Sequence, residues 1–209
     1  MSQFALNYER TKKIVVLILI LTGLTFFGFF FRGGVSVSYA EETQEKLLST
    51  FGDGKILVRL YTDYFCGPCK AMEPKIEPLL KELVAKNIVS VTFIDTPIHR
   101  YSALYARYFL YSLNQGQKSL EFAFFIRNAL IEAANKEIDN PQKLEEHLKT
   151  KGIKPVKFDP NPIFASFTRY LKEDRVNATP TCVIVRNGKK DTYVGEKEII
   201  EALKVLTKR

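Results

Sequence analysis

Two cysteines three positions apart, Cys66 and Cys69, fall where the sequence changes from a strand pattern to a helix pattern. The stretch before them, KILVRLYTD, is apolar and rich in β-branched residues, as expected for a buried strand. From Cys66 to about Lys86 apolar residues recur every three to four positions, which predicts a helix with a kink near Pro74 and Pro78. A strand that enters a helix at a C-x-x-C motif restricts the chain to few folds.

The rest of the chain continues this alternation. NIVSVTFIDT is the next predicted strand, so strand, helix and strand form a βαβ unit with a parallel pair and a right-handed crossover. Helical spacing then predicts four helices, over 101–113, 119–135, 142–149 and the stretch NPIFASFTRYLKED. TPTCVIVRNGKKDTYVG predicts two strands around an Asn187-Gly188 turn, and EKEIIEALKVLTK predicts a closing helix.

This order, β-α-β, several helices and β-β-α, predicts an α/β fold that resembles thioredoxin, because one sheet combines a parallel pair with an antiparallel hairpin. We expect a thioredoxin-like domain over residues 41–209, with an inserted helical subdomain at about 101–174. At the start of this domain, EETQEKLLSTFGDG predicts a short amphipathic helix that ends at Gly52-Asp53-Gly54.

Residues 1–40 are predicted to lie outside this domain. Basic residues at 10–13 precede an uncharged apolar run over 14–31, whose length as a helix, roughly 27 Å at about 1.5 Å per residue, approaches that of a bilayer core. The charge bias predicts a cytoplasmic N-terminus and export of the remainder. Two interpretations stay open: an uncleaved membrane anchor through residues 14–31, or a signal peptide cleaved after Ala40.

The predicted export places the domain outside the cytoplasm, in the periplasm or cell envelope. In an oxidising compartment paired thiols can remain oxidised, which favours disulfide chemistry. The net charge of +8 comes from interspersed Lys and Glu, as in KEIDNPQKLEEHLK. Such mixing is typical of solvated helix faces and not of a nucleic-acid-binding stripe, so we expect no nucleic-acid partner.

Three roles are compatible with a C-x-x-C motif: a structural disulfide, half of a zinc site or a redox couple. A bridge between positions this close closes almost no loop and stabilises little. A zinc site would need further ligands, but the sequence has no second cysteine pair at ligand spacing. The remaining cysteine and histidines are His99, His147 and Cys182. At the predicted strand–helix junction, Cys66 lies where a helix N-terminus stabilises a thiolate, and Cys69 lies one turn later. A redox couple is therefore favoured.

A second feature lies far along the chain. Thr179-Pro180 directly precedes a predicted strand, and a cis bond there suits a proline that cannot donate to a sheet. In a mixed sheet this bond would bring the Thr179 backbone beside the Cys66 sulfur, where it could pair with an extended substrate segment. At the motif itself, Gly67 permits close backbone approach and Pro68 loses no needed hydrogen bond in a first helical turn.

These residues carry a resemblance to the thioredoxin superfamily: FCGPCK, Pro74 eight residues after the first cysteine, and Thr179-Pro180-Thr181 before a strand. Within it the chain resembles the DsbA-like thiol–disulfide oxidoreductases over about residues 45–207. LYTDYFCGPCK is similar to their strand-Asp-aromatic-aromatic-Cys entry, FIDTPIHRYSALYA to the start of their helical insertion, and VNATPTCVIVRNGK to their cis-proline segment.

The resemblance implies a site made of a nucleophile, a resolving thiol, a docking segment and two tuning residues, which are Cys66, Cys69, Thr179-Pro180 and Gly67-Pro68 respectively. Two departures concern the direction of electron flow. The Gly-Pro dipeptide is the one found in reducing thioredoxins. In addition, Leu60 occupies the position six residues before the first cysteine, where thioredoxin-like proteins often bury an acid.

We therefore predict an exported thiol–disulfide oxidoreductase that acts on protein cysteines in the oxidising direction. Its partners would be protein thiols or disulfides and a membrane or soluble redox partner, and it would need neither metal nor organic cofactor. Two alternatives stay open. One is an exported reductase of the same fold, and the other is a peptide-binding module that keeps the motif without turnover.

Five further features have structural interpretations. We expect Asp63 to be an acceptor at the helix entry, His99 to cap or pack, His147 to face solvent on a charged helix and Cys182 to pack in the core. The apolar run EFAFFIRNAL is expected in the core of the helical insertion.

Overall fold

Five strands form one mixed sheet in the computed structural model, which describes residues 50–116 and 118–208. The strands are β1 (Thr50–Phe51), β2 (Ile56–Thr62), β3 (Val89–Asp95), β4 (Thr181–Arg186) and β5 (Lys189–Val194). They lie in the order β1-β3-β2-β4-β5, with β2 and β3 parallel and the other neighbours antiparallel. The predicted combination of a parallel pair and an antiparallel hairpin is thereby confirmed.

Within the described residues, six helices accompany the sheet: α1 (Gly67–Ala85), α2 (Ser102–Leu113), α3 (Leu120–Asn135), α4 (Pro141–Thr150), α5 (Asn161–Glu173) and α6 (Glu196–Thr207). Helix α1 connects the parallel strands β2 and β3, which completes the predicted βαβ unit. Helices α2 to α5 all lie between β3 and β4 in the chain, and α6 follows the hairpin. The element order is that of a thioredoxin-like fold with inserted helices.

The first 40 residues, with the predicted anchor or signal peptide, lie outside the described residues. Across residues 50–116 and 118–208, no helix combines the length and the apolar character that a membrane span requires.

Helix α1 carries the sequence pattern that buries it. Cys69, Met72, Ile76 and Leu80 are all buried and share one face at spacings of three or four residues. This helix packs against β3, α3 and α6. Burying each large apolar side chain contributes about 1.5–3 kcal/mol, so this one face anchors the start of α1 firmly to the sheet.

A close contact fixes the start of β2, and a tight turn joins β4 to β5. Gly54 precedes β2, and a Cβ atom at this residue would lie 2.1 Å from the Val89 nitrogen, so only glycine fits there. In the β4–β5 hairpin, Asn187 and Gly188 have φ angles of 50° and 76°, as the turn prediction requires.

Two expectations from the sequence were wrong. The end of the predicted N-terminal helix is strand β1, whose Thr50 and Phe51 pair with Thr92 and Val91 of β3. The remainder of that predicted helix, residues 41–49, lies outside the described residues. His147 is buried rather than solvated, and its Nε2 lies 3.1 Å from the Ala129 carbonyl oxygen.

Candidate functional site

Cys66 is the N-cap residue of α1, at the junction that the sequence predicts. Its backbone is extended, with φ −71° and ψ 115°, and its Sγ accepts a hydrogen bond from the Cys69 amide over 3.3 Å. A side chain that caps a helix in this way satisfies one of the free N–H groups of the first turn. When Cys66 is a thiolate, the same amide and the helix dipole stabilise its charge.

The two sulfurs of the motif differ in their environment. Both thiols are free in the structure, with 6% of Cys66 and 3% of Cys69 exposed. Burial, and then a hydrogen bond to Cys66, raise the pKa of Cys69 to about 12. Cys69 therefore keeps its proton at neutral pH. The Cys66 sulfur, in contrast, lies at the helix N-terminus, where negative charge is stabilised.

The cis-proline segment lies directly against the first cysteine. The Thr179–Pro180 bond is cis, as predicted, and the Thr179 carbonyl oxygen is 3.5 Å from the Cys66 sulfur, within reach of the thiol as a donor. The Pro180 carbonyl accepts a hydrogen bond from the Gly195 amide over 2.9 Å, which attaches this segment to the start of α6. The structure thus brings together Cys66 and Thr179 from distant parts of the chain.

All six residues named in the predicted site gather around the start of α1 and the cis-proline segment. Gly67 is exposed, and a Cβ added there would contact nothing within 4 Å, so space is open in front of the motif. Pro68 lies in the first turn of α1, where its missing N–H breaks no helical hydrogen bond.

Asp63 joins the loop between β2 and α1 to the segment that begins the inserted helices. Its Oδ1 accepts a hydrogen bond from the Phe65 amide over 2.7 Å, which is the local turn expected from the sequence. Its Oδ2 accepts bonds from the Ile98 amide over 2.9 Å and from the Ser102 hydroxyl over 2.6 Å. The His99 Nδ1 also lies 3.2 Å from this oxygen. Burial alone would raise the pKa of Asp63, but these hydrogen bonds outweigh burial and lower it.

Aromatic side chains pack beside the first cysteine. Phe65, which directly precedes Cys66, meets the edge of Tyr105 with the ring centroids 4.8 Å apart. The rings of His99 and Tyr101 each lie 6.3 Å from Phe65. His99 therefore packs, as predicted, but it also pairs with a carboxylate, which its position in the sequence does not indicate.

A buried ion pair under α1 was not predicted. Arg127 of α3 is 2% exposed, and its guanidinium forms two hydrogen bonds to the Glu73 carboxylate, by Nε to Oε1 and by Nη2 to Oε2. Nη2 also donates to the Thr62 hydroxyl over 2.9 Å, and Nη1 lies 3.5 Å from Asp95 Oδ1. The available signals were an arginine within the apolar run EFAFFIRNAL and a glutamate on the apolar face of α1.

A second charged cluster fixes the chain just before the cis-proline segment. Asp174, the residue after α5, is bound by Arg59 through two hydrogen bonds of 2.6 and 2.8 Å and by the Tyr61 hydroxyl over 2.5 Å. Lys190 of β5 adds a bond of 2.7 Å. Burial opposes ionisation of Asp174, but these partners together lower its pKa. The end of α5 is thereby attached to β2 and β5, five residues before Thr179.

Cys182 packs in the core, as predicted. It is fully buried in β4 opposite Leu60 and Tyr193, and burial raises its pKa to about 12. Among the described residues, no group of three or more His, Cys, Asp and Glu side chains is arranged to hold a metal ion.

Comparisons with known proteins agree with this fold. A comparison with protein families matches residues 52–204 to the family described as thioredoxin. Among solved structures, a periplasmic thioredoxin-like protein from Salmonella enterica serovar Typhimurium is similar with a TM-score of 0.57 and 20% identity, over 78% of this chain and 91% of that chain. The catalytic domain of Proteus mirabilis ScsC is similar with a TM-score of 0.56 and 17% identity, over 82% and 98% of the two chains.

A third similar structure is oxidised BdbD from Bacillus subtilis. It has a TM-score of 0.53 and 23% identity, over 78% of this chain and 95% of that chain. A comparison with curated protein sequences finds no match. At these identities the solved structures share the fold with this chain.

Proposed function

The chain belongs to the thioredoxin family, a family of thiol–disulfide oxidoreductases, and we propose that Cys66 and Cys69 are its redox couple. We propose further that it is exported and oxidises protein cysteines outside the cytoplasm. The observation that carries the proposal is the environment of Cys66, whose sulfur caps α1 and faces the Thr179 carbonyl. Cys69, one turn along the same helix, would resolve the mixed disulfide.

In the oxidising direction the couple begins as a disulfide. A client thiolate attacks the Cys66 sulfur, the Cys66–Cys69 bond breaks, and Cys69 leaves with the electron pair and takes up a proton. A second client thiolate then attacks the client sulfur of this mixed disulfide, and Cys66 leaves as a thiolate. The client loses two electrons and gains a disulfide, and the couple gains the two electrons.

The oxidising direction is supported by the Cys69 amide, the hydrogen-bond donor that faces the Cys66 sulfur. A couple becomes more oxidising when its reduced form is stabilised, and the Cys69 amide stabilises a reduced, negative Cys66. The Gly67-Pro68 dipeptide favours the opposite assignment, a reductase in which Cys66 attacks a client disulfide. In either direction a partner with a disulfide or dithiol of its own would return the couple to its starting redox state. This partner would be bound to the membrane or soluble.

A client segment would dock at the cis-proline segment. The Thr179 carbonyl is directed to the sulfur, and the Thr179 backbone lies just before the start of β4, where an extended peptide could pair with it by main-chain hydrogen bonds. Gly67 leaves the approach to Cys66 open.

The redox equilibrium with glutathione tests both the couple and its direction. The protein is equilibrated in buffers of graded glutathione ratio, quenched with an alkylating reagent and analysed by mass. A potential near about −120 mV supports the oxidising function, and one near about −270 mV supports the reductase instead. The Cys182→Ser variant is the matched control, because it removes a buried thiol but leaves the couple.

Turnover distinguishes the proposed enzyme from the peptide-binding alternative. Reduced peptide substrates should acquire disulfides from the oxidised protein in proportion to the protein added, and a Cys66→Ser variant should transfer none. A wild-type protein that binds such peptides but exchanges no disulfide would establish the alternative.

Export is proposed from residues 1–40, and the extracytoplasmic location depends on it. N-terminal sequencing of the protein isolated from cells distinguishes a chain cleaved after Ala40 from one that keeps the apolar run at 14–31 as a membrane anchor.

A further inference from the structure

Strand β5 forms one edge of the sheet, and its outer side is open. Its six residues pair with β4 without a bulge, and the strand contains no proline. Sheet edges in natural proteins are usually short, bulged, interrupted by proline or covered, because an open edge can pair with another chain. The opposite edge, β1, is short in this way, with two residues in the part of the chain that the structure describes.

The hairpin determines which backbone groups of β5 point outward. The two residues that flank the two-residue turn form a hydrogen-bonded pair, and such pairs alternate along an antiparallel ladder. The amide and carbonyl groups of Lys190, Thr192 and Val194 therefore point away from β4. The Val194 amide donates to Glu198 Oε2 over 3.1 Å, and among the described residues no strand pairs with the outer side of β5.

One face of this edge is a groove between β5 and α6. The groove has a volume of about 560 Å³, and apolar atoms of Ile184, Tyr193 and Ala202 line it. Val205 of α6 also lines the groove and is 52% exposed. An open edge strand beside an exposed apolar groove is a surface to which another strand and its side chains can bind.

The charges at the two ends of β5 are opposite. Lys189 begins the strand with a side chain that is 77% exposed, and Glu196 and Glu198 follow soon after its last residue. Lys189 pairs with Arg186, which lines the groove, so the two side chains share the α6 face of the sheet. A second β5 that runs antiparallel would bring each basic end against the acidic end of the other. The strand is therefore complementary in charge to a copy of itself.

Going beyond the proposed function, we propose that β5 is the interface of a two-fold dimer, in which the β5 strands of two copies pair antiparallel with Thr192 opposite Thr192. Val194 then lies opposite Lys190 of the second copy, and Lys189 lies beside Glu198 of the second copy. The Glu198 carboxylate releases the Val194 amide to the Lys190 carbonyl and binds the Lys189 ammonium group instead. The two sheets become one continuous sheet.

Thr192 is the centre of pairing that suits the sequence. Centring on Asp191 would place two aspartates opposite each other, and like charges in a cross-strand pair are destabilising. Centring on Tyr193 would pair only residues 192–194 of each strand, because β5 ends there. A specific interface buries about 800 Å² on each partner, more than one short strand provides. The two α6 helices would supply the remainder, with Val205 of each packed across the two-fold axis.

This pairing determines where the two C-x-x-C motifs lie. The Gly195 amide donates to the Pro180 carbonyl over 2.9 Å, so the end of β5 lies beside the cis-proline segment. Because the strands run antiparallel, the two cis-proline segments and the two Cys66 sulfurs lie toward opposite ends of the joined sheet. Each motif would act on its own client, and the dimer would not bring two couples to one client.

The test is analytical ultracentrifugation of the full chain at increasing concentration, in a mild detergent that keeps the apolar run at 14–31 soluble. Wild type should form a dimer. Lys189→Glu should raise the dissociation constant of the dimer about tenfold or more, because it opposes Glu198 with a like charge at two symmetric contacts. The double variant Lys189→Glu/Glu198→Lys should restore dimerisation. Lys143→Glu, the same change at an exposed position of α4, is the matched control and should behave as wild type.

A wild-type protein that stays monomeric, or a dimer that Lys189→Glu does not weaken, would overturn the inference. Disulfide trapping is a second measurement, made with Cys66 and Cys69 replaced by Ser. Thr192→Cys should cross-link two copies under mild oxidation, because a hydrogen-bonded pair places the Cα atoms about 5.5 Å apart. Thr150→Cys, exposed on α4, is the control, and equal cross-linking in both variants would also refute the interface. A wild-type protein without disulfide exchange would refute the proposed function and leave this interface standing.

Discussion

The Cys69 amide donates a hydrogen bond to the Cys66 sulfur over 3.3 Å, so the second cysteine of the motif stabilises the reduced form of the first. An N-cap side chain can accept from the second or third residue of its helix. Here the second residue is Pro68, which has no N–H, so one of the two donor positions is empty.

Replacing Pro68 with Ala should make the couple more oxidising. The new amide would place a second donor near the Cys66 thiolate, and a hydrogen bond to a charged group contributes about 1.5 kcal/mol or more, equivalent to about 30 mV for a two-electron couple. The potential would be measured against glutathione. Pro78→Ala, which adds an amide later in the same helix, is the control and should leave the potential unchanged; equal shifts in both variants would refute the explanation.

Replacing Cys69 with Ser should trap a mixed disulfide. Because Cys66 remains without a resolving partner, a Cys69→Ser protein incubated with a disulfide-containing peptide should accumulate a covalent adduct, detected by intact mass. The double variant Cys66→Ser/Cys69→Ser should form none, since Cys182 is fully buried. An adduct of equal yield in the double variant would show that Cys182 reacts and that the assignment of Cys66 is wrong.

Removing the charge of Asp63 should destabilise the protein in a pH-dependent way. The pKa of Asp63 is lowered on folding, so its contribution is fully present above the ordinary aspartate value of about 4 and is lost as the pH falls through the lower folded value. We expect Asp63→Asn to lose about 2 kcal/mol at pH 7, and the difference from wild type to shrink below pH 4.

Urea unfolding at pH 7 and at pH 3 measures this difference. Asp53→Asn, at an exposed position, is the control and should change stability little at either pH. A deficit of Asp63→Asn that is equal at both pH values would show that lost packing, not lost charge, is responsible.

Removing one partner of the buried Arg127–Glu73 ion pair should lower the free energy of unfolding. Arg127→Met leaves the carboxylates of Glu73 and Asp95 buried without their cation, and we expect a loss of about 3–5 kcal/mol. The double variant Arg127→Met/Glu73→Gln should recover part of that loss, because one uncompensated charge is removed. Urea unfolding measures both variants, and a double variant that is less stable than Arg127→Met would contradict the charge argument.

The sequence predicts those features of the site that depend on local pattern. The strand–helix junction at Cys66, the cis bond before Pro180 and the turn at Asp63 each follow from neighbouring residues, and the structure confirms all three. The predicted core run EFAFFIRNAL is also largely buried in α3. Local chemistry thus places the two thiols and the cis-proline segment.

Contacts between distant segments have no such local signal. The bond from Ser102 to Asp63 and the pairing of Arg127 with Glu73 join residues 39 and 54 positions apart, and only the folded sheet brings them together. Strand β1 lacks a local signal for the same reason. Thr50 and Phe51 gain their hydrogen bonds from β3, and the Thr50 hydroxyl lies 3.0 Å from that of Thr92.

The Thr179 carbonyl that faces Cys66 belongs to a residue 113 positions further along the chain. A polypeptide emerging from the ribosome therefore contains both cysteines of the motif long before Thr179 and Pro180 have been synthesised. Until β4 joins β2, the newborn chain has Cys66 and Cys69 but lacks the Thr179 carbonyl that faces the Cys66 sulfur in the folded protein. If the cis-proline segment docks clients, as proposed, selection among them begins only after residue 179 of the 209 has been translated.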